Sequence, residues 1–379
     1  MDIQELRREI DGVDRDLVKL FERRMHLAAE IADYKKKNRL PVQDRLRERE
    51  VLAQVSGAAG PELEEYAQVL FSTLFDLSRS YQSSLNAEET PLTAEIMAAA
   101  ENTPKLFPTK GVVACQGVEG AYSQLACDKL FKNPSIMYFR SFEGVFQAVE
   151  KGLCQFGVLP IENSSYGSVS GVYDLMHRYR FRIIRSIKLH IDHNLLARPG
   201  AKPDGIREIF SHEQAVGQCA GYLAARPGIK VTICENTAAA AKMVAESGRE
   251  DLAAISSGDC ARLYGLQVLD QHIQDRENNY TRFICIAKDL AVYPGANRIS
   301  LMFSVPHKPG ALYRMIAKFA ALGVNLTKLE SRPIPGKDFE FLFYFDLEAS
   351  VWSEKVMKLL SQLSESKELF VFLGCYSEV

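Results

Sequence analysis

Long apolar runs are missing from this 379-residue chain. No stretch approaches 18 consecutive apolar residues, so the sequence predicts no membrane-spanning helix. An excess of one charge is missing as well. Lys and Arg number 46 against 48 Asp and Glu, for a formal net charge of -2. Without a basic surplus, a nucleic-acid polyanion is excluded as the main partner, whereas a small anionic ligand needs only a few local cations. The eight cysteines (Cys115, Cys127, Cys154, Cys219, Cys234, Cys260, Cys285 and Cys375) never form CxxC. They read as single thiols, mostly buried, in a reducing compartment, not as a disulfide framework or a zinc site. His190 and His193 are spaced HxxH, but their stretch reads as a strand and turn that would not aim both rings at one metal. No metal and no cofactor is expected. The N-terminal MDIQELRREIDGVD has no secretory h-region, which sets the expectation of a cytoplasmic protein. Low-complexity tracts are absent too.

What is present is ordinary globular composition, 47% hydrophobic and 25% charged, at a length that suits two or three domains. Three kinds of pattern follow one another. From Glu5 to Asn38, Leu6, Ile10, Val13, Leu17, Leu20, Leu27 and Ile31 recur at helical steps, with Gly12 the one breaker before Pro41. A charged helix is predicted over roughly 43–56. A third follows Gly57, Gly60 and Pro61 and runs to about Leu85, ahead of a linker over 86–109 with room for a short helix. From Gly111, short apolar runs (GVVAC, FGVLPI, EIFSH, VTICE, LAAIS, TRFICIA) alternate with helical stretches near 121–131, 142–151, 169–179, 213–224 and 238–247. That is the pattern of an α/β domain with a mostly parallel sheet. From about Asn297 the order becomes βαββαβ.

The helical segment puts cations where a core should be. Its first helix, about 33 residues or roughly 50 Å long, is too long to bury its stripe within one small bundle, so an intertwined dimer is expected. Arg24 and Lys35 point within about 40° of the stripe centre, and Arg7 lies about 100° off, at its rim. Buried cations need anions. Either Asp44 or Glu48 supplies them, or the polar pocket binds an anionic ligand. Asp44, Arg47 and Glu48 share one face of the second helix, and Ser78 and Gln82 share one face of the third.

These residues, in LRREIDGVDRDLVKLFERRMHLAAEIADYKK, LPVQDRLRERE and LSRSYQ, resemble the all-helical chorismate mutase family. The resemblance implies that Arg7, Arg24 and Lys35 bind carboxylates, Arg7 reaching into the partner's site. Lys35 and Gln82 donate to the ether oxygen, and Asp44 and Glu48 lie near the substrate hydroxyl, with Arg47 and Ser78 beside them. The pericyclic conversion of chorismate to prephenate needs no nucleophile. It needs a folded dianion held in place and donors for the charge growing on the ether oxygen.

The middle segment carries CQGVEGAYSQLA, PIENSSYGSVSGVYDL, SHEQAVGQC and NNYTRFICIA. Singly, each reads as a glycine turn, helix caps or a strand end. In this order they resemble prephenate dehydratase, which implies two α/β lobes, like periplasmic binding proteins, with the site in the cleft. Asn163, Gln218 and Thr281 carry over as catalytic candidates and Ser123, Ser164, Gln214 and Arg282 as substrate-binding ones. Prephenate, a dianion, loses CO2 and its hydroxyl to give phenylpyruvate. Thr281 is read as a hydrogen-bond donor or relay to the leaving oxygen, with His212 and Glu162 as rival acids. Arg282 either binds a carboxylate bidentately or braces its strand.

The C-terminal segment, with KPGALYRM and KLESRP, resembles a ferredoxin-like α+β ACT domain. That resemblance implies a phenylalanine pocket at an interface, built from Gly310, Ala311, Leu312, Glu330, Ser331 and Arg332, and side-by-side pairing. The expected division is an all-helical domain over 1–88, a two-lobed α/β domain over 108–289 and a regulatory domain over 297–379. The whole resembles bifunctional chorismate mutase–prephenate dehydratases of phenylalanine biosynthesis. It implies chorismate and prephenate as substrates, L-phenylalanine as a feedback inhibitor and a homo-oligomer, dimer or tetramer. Two rivals are a dehydratase whose helical segment only dimerises or regulates, and a non-catalytic binder on a solute-binding fold.

Overall fold

The computed structural model describes residues 2–38, 40, 44–85, 89–334, 340–365 and 369–379. Pro41, expected to stop the first helix, lies outside them. The chain forms two compact units. One comprises Met1–Glu95, Ser304–Asn325 and Val351–Phe370, and the other Ile96–Phe303, Leu326–Ser350 and Val371–Val379.

In the first unit, α1 spans Ile3–Lys37, α2 Arg45–Ala58 and α3 Glu64–Leu85. The first helix is well terminated for its macrodipole. Glu5 accepts from the Asp2 backbone amide at 3.0 Å, and Lys35, Lys36 and Lys37 occupy the last turn. Its C-terminal half buries Ala28 and Ala32 and packs on α3. Its N-terminal half does not find a core. Ile10, Val13, Leu17 and Leu20 are 53–62% exposed, although they form the stripe that the sequence predicts to be covered. The linker helix α4 (Pro91–Asn102) opens on a reciprocal cap. Thr90 N donates to Thr93 Oγ1 at 2.8 Å and Thr93 N to Thr90 Oγ1 at 3.3 Å. Helices α12 (Ala311–Ala321) and α13 (Glu354–Ser364) also pack on α3.

The second unit holds two lobes. In the first, β1 (Lys110–Gln116), β2 (Asn133–Phe139), β3 (Phe156–Asn163), β4 (Gly167–Ser168), β5 (Arg182–His190) and β11 (Tyr280–Ala287) form a sheet in the order β2-β1-β3-β11-β5, with β4 on β3. Helices α5 (Tyr122–Leu130), α6 (Phe142–Glu150) and α7 (Ser170–Tyr179) belong to it. In the second lobe the order is β10-β6-β9-β7-β8, from β6 (Asn194–Ala197), β7 (Glu208–Ser211), β8 (Lys230–Ile233), β9 (Leu252–Ser256) and β10 (Gln267–Asp270). Its helices are α8 (Glu213–Gln218), α9 (Ala220–Ala224), α10 (Thr237–Glu246) and α11 (Gly258–Tyr264). The sheets are mixed, not mostly parallel. β1 pairs parallel with β2 and β3, and β7 with β8 and β9, but β11 is antiparallel to β3 and β5, and β6 to β9 and β10. The reversal follows from connectivity. The chain crosses between lobes over residues 191–193 and returns over 271–279, so β11 re-enters the first sheet from the opposite end. β12 (Arg298–Ser304), β13 (Asn325–Pro333), β14 (Phe341–Glu348) and β15 (Phe370–Tyr376) form a third sheet in the order β13-β14-β12-β15.

Candidate active sites

In the helical bundle, Arg24 and Ser78 meet. The half-buried Arg24 guanidinium donates to the Ser78 hydroxyl and, at 3.3 Å, to the Leu74 carbonyl, and its Cζ lies 5.5 Å from the Phe75 ring centre. Burial pushes its pKa down, but an arginine stays charged at neutral pH. Its partners among the described residues are neutral, so Asp44 and Glu48 do not neutralise it. Asp44 caps α2, accepting from the Arg47 amide at 3.0 Å, and Arg47 pairs with Glu50 at the surface. Glu48 pairs closely with Arg79, a residue the sequence reading passed over although it adjoins Ser78. Gln82 is buried, and its Oε1 has no partner among the described residues. Lys35 is half-buried and Arg7 is exposed. Arg7 lies 17 positions before Arg24 on one helix, about 25 Å along the axis. Within one chain it cannot share Arg24's pocket.

Between the lobes of the second unit lies a cavity of about 500 Å³. Its walls explain how the fold can hold an anion. The first residues of α5, α6, α7 and α10, and the start of α8, all reach it (Tyr122, Phe142, Ser170, Thr237 and Gln214). Each helix follows a strand, so its N-terminus sits at that strand's carboxyl end, where open α/β sheets bind ligands. N-terminal amides and the helix dipole favour negative charge. Among the described residues no Lys or Arg lines the cavity, and Glu235 is its one carboxylate. The turn into α5 needs its glycines. Gly120 has φ +87°, and a Cβ there would stand 2.9 Å from Leu263 and 3.0 Å from Cys260. Ser123, in the first turn of α5, is buried and lines the cavity.

The register of β3 and β11 sorts the functional side chains onto two faces. Asn163 pairs with Thr281 and Glu162 with Arg282, and alternate residues of a strand face opposite sides. On the cavity side, Asn163 Nδ2 donates to Thr281 Oγ1 at 2.9 Å and to Asn279 Oδ1 at 3.0 Å. Its Oδ1 accepts the backbone amides of Ser165 and Tyr166 at 2.9 and 3.0 Å. Those two amides fix which end of the side chain is oxygen, and the polarity then propagates. Asn279 Oδ1 must be an acceptor. Asn279 Nδ2 therefore donates to Gln218 Oε1 at 3.0 Å, and Gln218 Nε2 donates back to Asn279 Oδ1 at 3.3 Å. Gln218 Oε1 also meets His193 Nε2 at 2.6 Å, so that nitrogen carries the proton. Asn163 is saturated by this network and orients Thr281 without a free group of its own. Thr281 accepts from Asn163 and keeps its hydroxyl proton for the cavity.

On the opposite face, Arg282 is 6% exposed and does not line the cavity. It pairs closely with Asp346 on β14 and stands 3.7 Å from Glu162. Burial works against its charge, but Asp346 overcomes this and holds its pKa above the usual arginine value. Arg282 is thus a buried brace, and the substrate-contact reading is corrected. Glu162, a rival acid in the sequence reading, is bound by Lys328 at 2.7 Å. Ser164 is corrected too. Its hydroxyl donates to the Asn278 carbonyl at 2.7 Å and accepts the Tyr280 amide at 2.9 Å, latching the loop to β11. His212 and Gln214 do line the cavity, and His212 Nδ1 accepts the Gln214 amide at 3.3 Å.

Of the C-terminal motif residues, Glu330 accepts from Ser168, a cavity-lining residue, at 2.6 Å, and Arg332 grips Asp174 through two bonds of 3.1 and 2.9 Å. Ser331 is exposed on the other side of β13. Gly310, Ala311 and Leu312 open α12, in the other compact unit. Gly310 has φ +74°, and the Ala311 amide donates to the Lys308 carbonyl at 3.1 Å.

The sequence reading missed Asn279, His193 as a polar neighbour, and the α10 N-terminus. Asn279 precedes Thr281 by two positions and so shares its strand face, a signal that period-two counting finds. Asn236 before four alanines is an N-cap pattern, and its side chain accepts the Ala239 amide at 2.8 Å. The HxxH spacing that singles out His193 gives no hint of this partner; the crossover alone brings it to Gln218.

Comparison with known proteins identifies two families along the chain. Residues 6–83 match the family model for chorismate mutase type II, and residues 113–291 match that for prephenate dehydratase. The chain is 30% identical over 379 residues to the bifunctional chorismate mutase/prephenate dehydratase of Escherichia coli (strain K12), covering 98% of this chain and 95% of that protein. It is 37% identical over 332 residues to arogenate dehydratase/prephenate dehydratase 1, chloroplastic, of Arabidopsis thaliana, covering 83% of each. Among solved structures it resembles the prephenate dehydratase in complex with L-Phe from Arthrobacter aurescens, with a TM-score of 0.63 at 28% identity over 70% of this chain and 89% of that one. With a chorismate mutase match in its N-terminal helices, a prephenate dehydratase match in the α/β segment and a bifunctional relative matched along nearly its whole length, the chain belongs to the bifunctional chorismate mutase/prephenate dehydratases and carries both activities.

Proposed function

We propose specific roles for the residues of both sites. In the cleft, the helix N-termini and Ser123 take the carboxylates of prephenate, Thr281 donates to the departing hydroxyl, and Gln218 offers its second Nε2 hydrogen. Asn163 and Asn279 set the orientation of both donors. The observation that carries this reading is the Asn163 amide, whose backbone-fixed polarity leaves Thr281 a proton to give. Hydrogen bonds of this kind stabilise the leaving oxygen most when they are already in place before reaction. A Thr281→Ala chain should convert chorismate and accumulate prephenate. Phenylpyruvate formed at the wild-type rate would refute the assignment.

In the bundle, Arg24 and Lys35 grip the chorismate carboxylates, and Lys35 and Gln82 meet the ether oxygen. Asp44 and Glu48 flank the hydroxyl, with Arg47 and Ser78 supporting the pocket. Two chains intertwine through the exposed stripe of α1, and Arg7 of one chain completes the pocket of the other. The roughly 25 Å between Arg7 and Arg24 and the uncovered Ile10, Val13, Leu17 and Leu20 support this. The C-terminal βαββαβ segment acts as an ACT domain that binds L-phenylalanine with Gly310, Ala311, Leu312, Glu330, Ser331 and Arg332. The contact from Glu330 to Ser168 in the cavity wall offers a route by which occupancy there bears on dehydration. Cytoplasmic residence is supported by free thiols, all buried except Cys234.

A further inference from the structure

Dehydration of prephenate consumes a proton. The ring carboxylate leaves as CO2 and its bonding pair enters the ring. The ring carbon–oxygen bond breaks with its pair on oxygen, and that oxygen takes up one proton to leave as water. A dianion and one proton thus give a monoanion, CO2 and water. Thr281 can donate a hydrogen bond but cannot be the net source, because a hydroxyl holds its proton too tightly. The network behind it consists of amides, which do not relay protons at neutral pH. Glu162 is turned away and ion-paired.

Two histidines line the cavity, and their hydrogen bonds separate them. His212 Nδ1 accepts the Gln214 amide, so protonating it would break the α8 cap. His193 is 2% exposed. Its Nε2–H is committed to Gln218 Oε1, and its Nδ1 is buried without a partner among the described residues. A buried acceptor without a partner is costly in a folded protein. The His193 side chain lines a cavity whose described walls hold no lysine or arginine and which receives a doubly negative substrate.

We propose that His193 is a catalytic residue of the dehydratase, a general acid that takes up a proton at Nδ1 when the dianion binds and delivers it to the departing hydroxyl. The inference rests on the dehydratase reading of the cleft. In the free enzyme, burial holds His193 below its ordinary value, so the ring enters the complex neutral. The charged neighbours are few. Asp192, next in the chain, favours the imidazolium but is already held by His272, Asn194 and Gln274. The other titratable groups that line the cavity, among the described residues, are Glu235, Tyr122, Tyr166 and His212. Bound substrate adds two negative charges and raises the His193 pKa. After the step the ring is neutral and is recharged from solvent.

The test uses the full chain, with chorismate conversion as an internal control of folding. His193→Gln keeps an N–H for Gln218 and loses the titrating nitrogen. It should lower kcat for prephenate by about 10²–10⁴-fold, leave the mutase rate intact and abolish the fall of kcat on the alkaline side. In the wild type, kcat should fall as pH rises through the His193 pKa of the complex. kcat/KM should fall at lower pH, because it reports the free enzyme. Near wild-type kcat in His193→Gln, or an alkaline limb that persists there and vanishes in Glu235→Gln, overturns the proposal. Should His193→Gln fail to fold, calorimetry of prephenate, the dianion itself, binding to the Thr281→Ala chain, which does not turn it over, in two buffers of different ionisation heat decides. Proton uptake supports the proposal, and buffer-independent heat overturns it. A wild-type chain that forms no phenylpyruvate would instead remove the dehydratase reading itself.

Discussion

Replacing Asn163 by aspartate changes almost no volume and reverses two hydrogen bonds. The Oδ1 position keeps the Ser165 and Tyr166 amides, so the second carboxylate oxygen lands where Nδ2 was, 2.9 Å from Thr281 Oγ1 and 3.0 Å from Asn279 Oδ1. Thr281 then turns its proton toward the new carboxylate, because a charge-assisted O–H···O⁻ bond is roughly twice as strong as a neutral one. The departing oxygen loses its donor. Loss of one such donor costs about 10²–10³ in kcat, or about 2.7–4 kcal/mol. Opposing acceptors at Asn279 add about 1–3 kcal/mol of destabilisation, read as a lower thermal midpoint and not as kcat. Initial rates of phenylpyruvate formation from prephenate should therefore fall nearly as far in Asn163→Asp as in Thr281→Val. The double variant should lose little more than either, since both remove the same interaction. Mutase rates from the same chains report folding. Losses that multiply in the double variant, or an Asn163→Asp enzyme within a few-fold of wild type, would refute the orientation argument.

Arg24→Ala should lower chorismate conversion by at least about 10²-fold, the scale of one lost electrostatic donor, while prephenate turnover stays unchanged. Steady-state rates on each substrate separate the two. Val13→Asp with Leu17→Asp should break the proposed pairing through α1, read as a smaller species by sedimentation, and remove mutase activity, because the stripe can no longer be covered and Arg7 is no longer supplied. Asp346→Asn strands the buried Arg282 charge and should cost about 3–5 kcal/mol in denaturant unfolding; a loss under about 1 kcal/mol would contradict the brace. Glu330→Gln should weaken inhibition of phenylpyruvate formation by L-phenylalanine more than it changes the uninhibited rate.

The elements were largely legible because their signals are local. Apolar steps of three and four mark α1, and TRFICIA and LAAIS announce buried strands. The mixed sheets were not legible, since the direction of β11 depends on the chain returning from the second lobe and not on its own residues. The candidate site was legible as far as motif residues line the cleft, as Thr281, Gln218 and Ser123 do. It failed at Arg282 and Ser164, each next to a cleft residue in sequence but turned by the strand or held by the backbone to another partner. Among the described residues no lysine or arginine lines the cleft, and helix N-termini stand there instead, which no side-chain pattern displays.

Feeding chorismate to the full-length chain and to its Arg24→Ala and Thr281→Ala variants, with prephenate and phenylpyruvate followed together, tests most directly that the two sites act in sequence. The wild type should form phenylpyruvate. Thr281→Ala should stop at prephenate. Arg24→Ala should leave chorismate untouched yet convert added prephenate at the normal rate. Phenylpyruvate from Thr281→Ala, or normal chorismate loss in Arg24→Ala, would contradict the assignment of these residues to the two reactions.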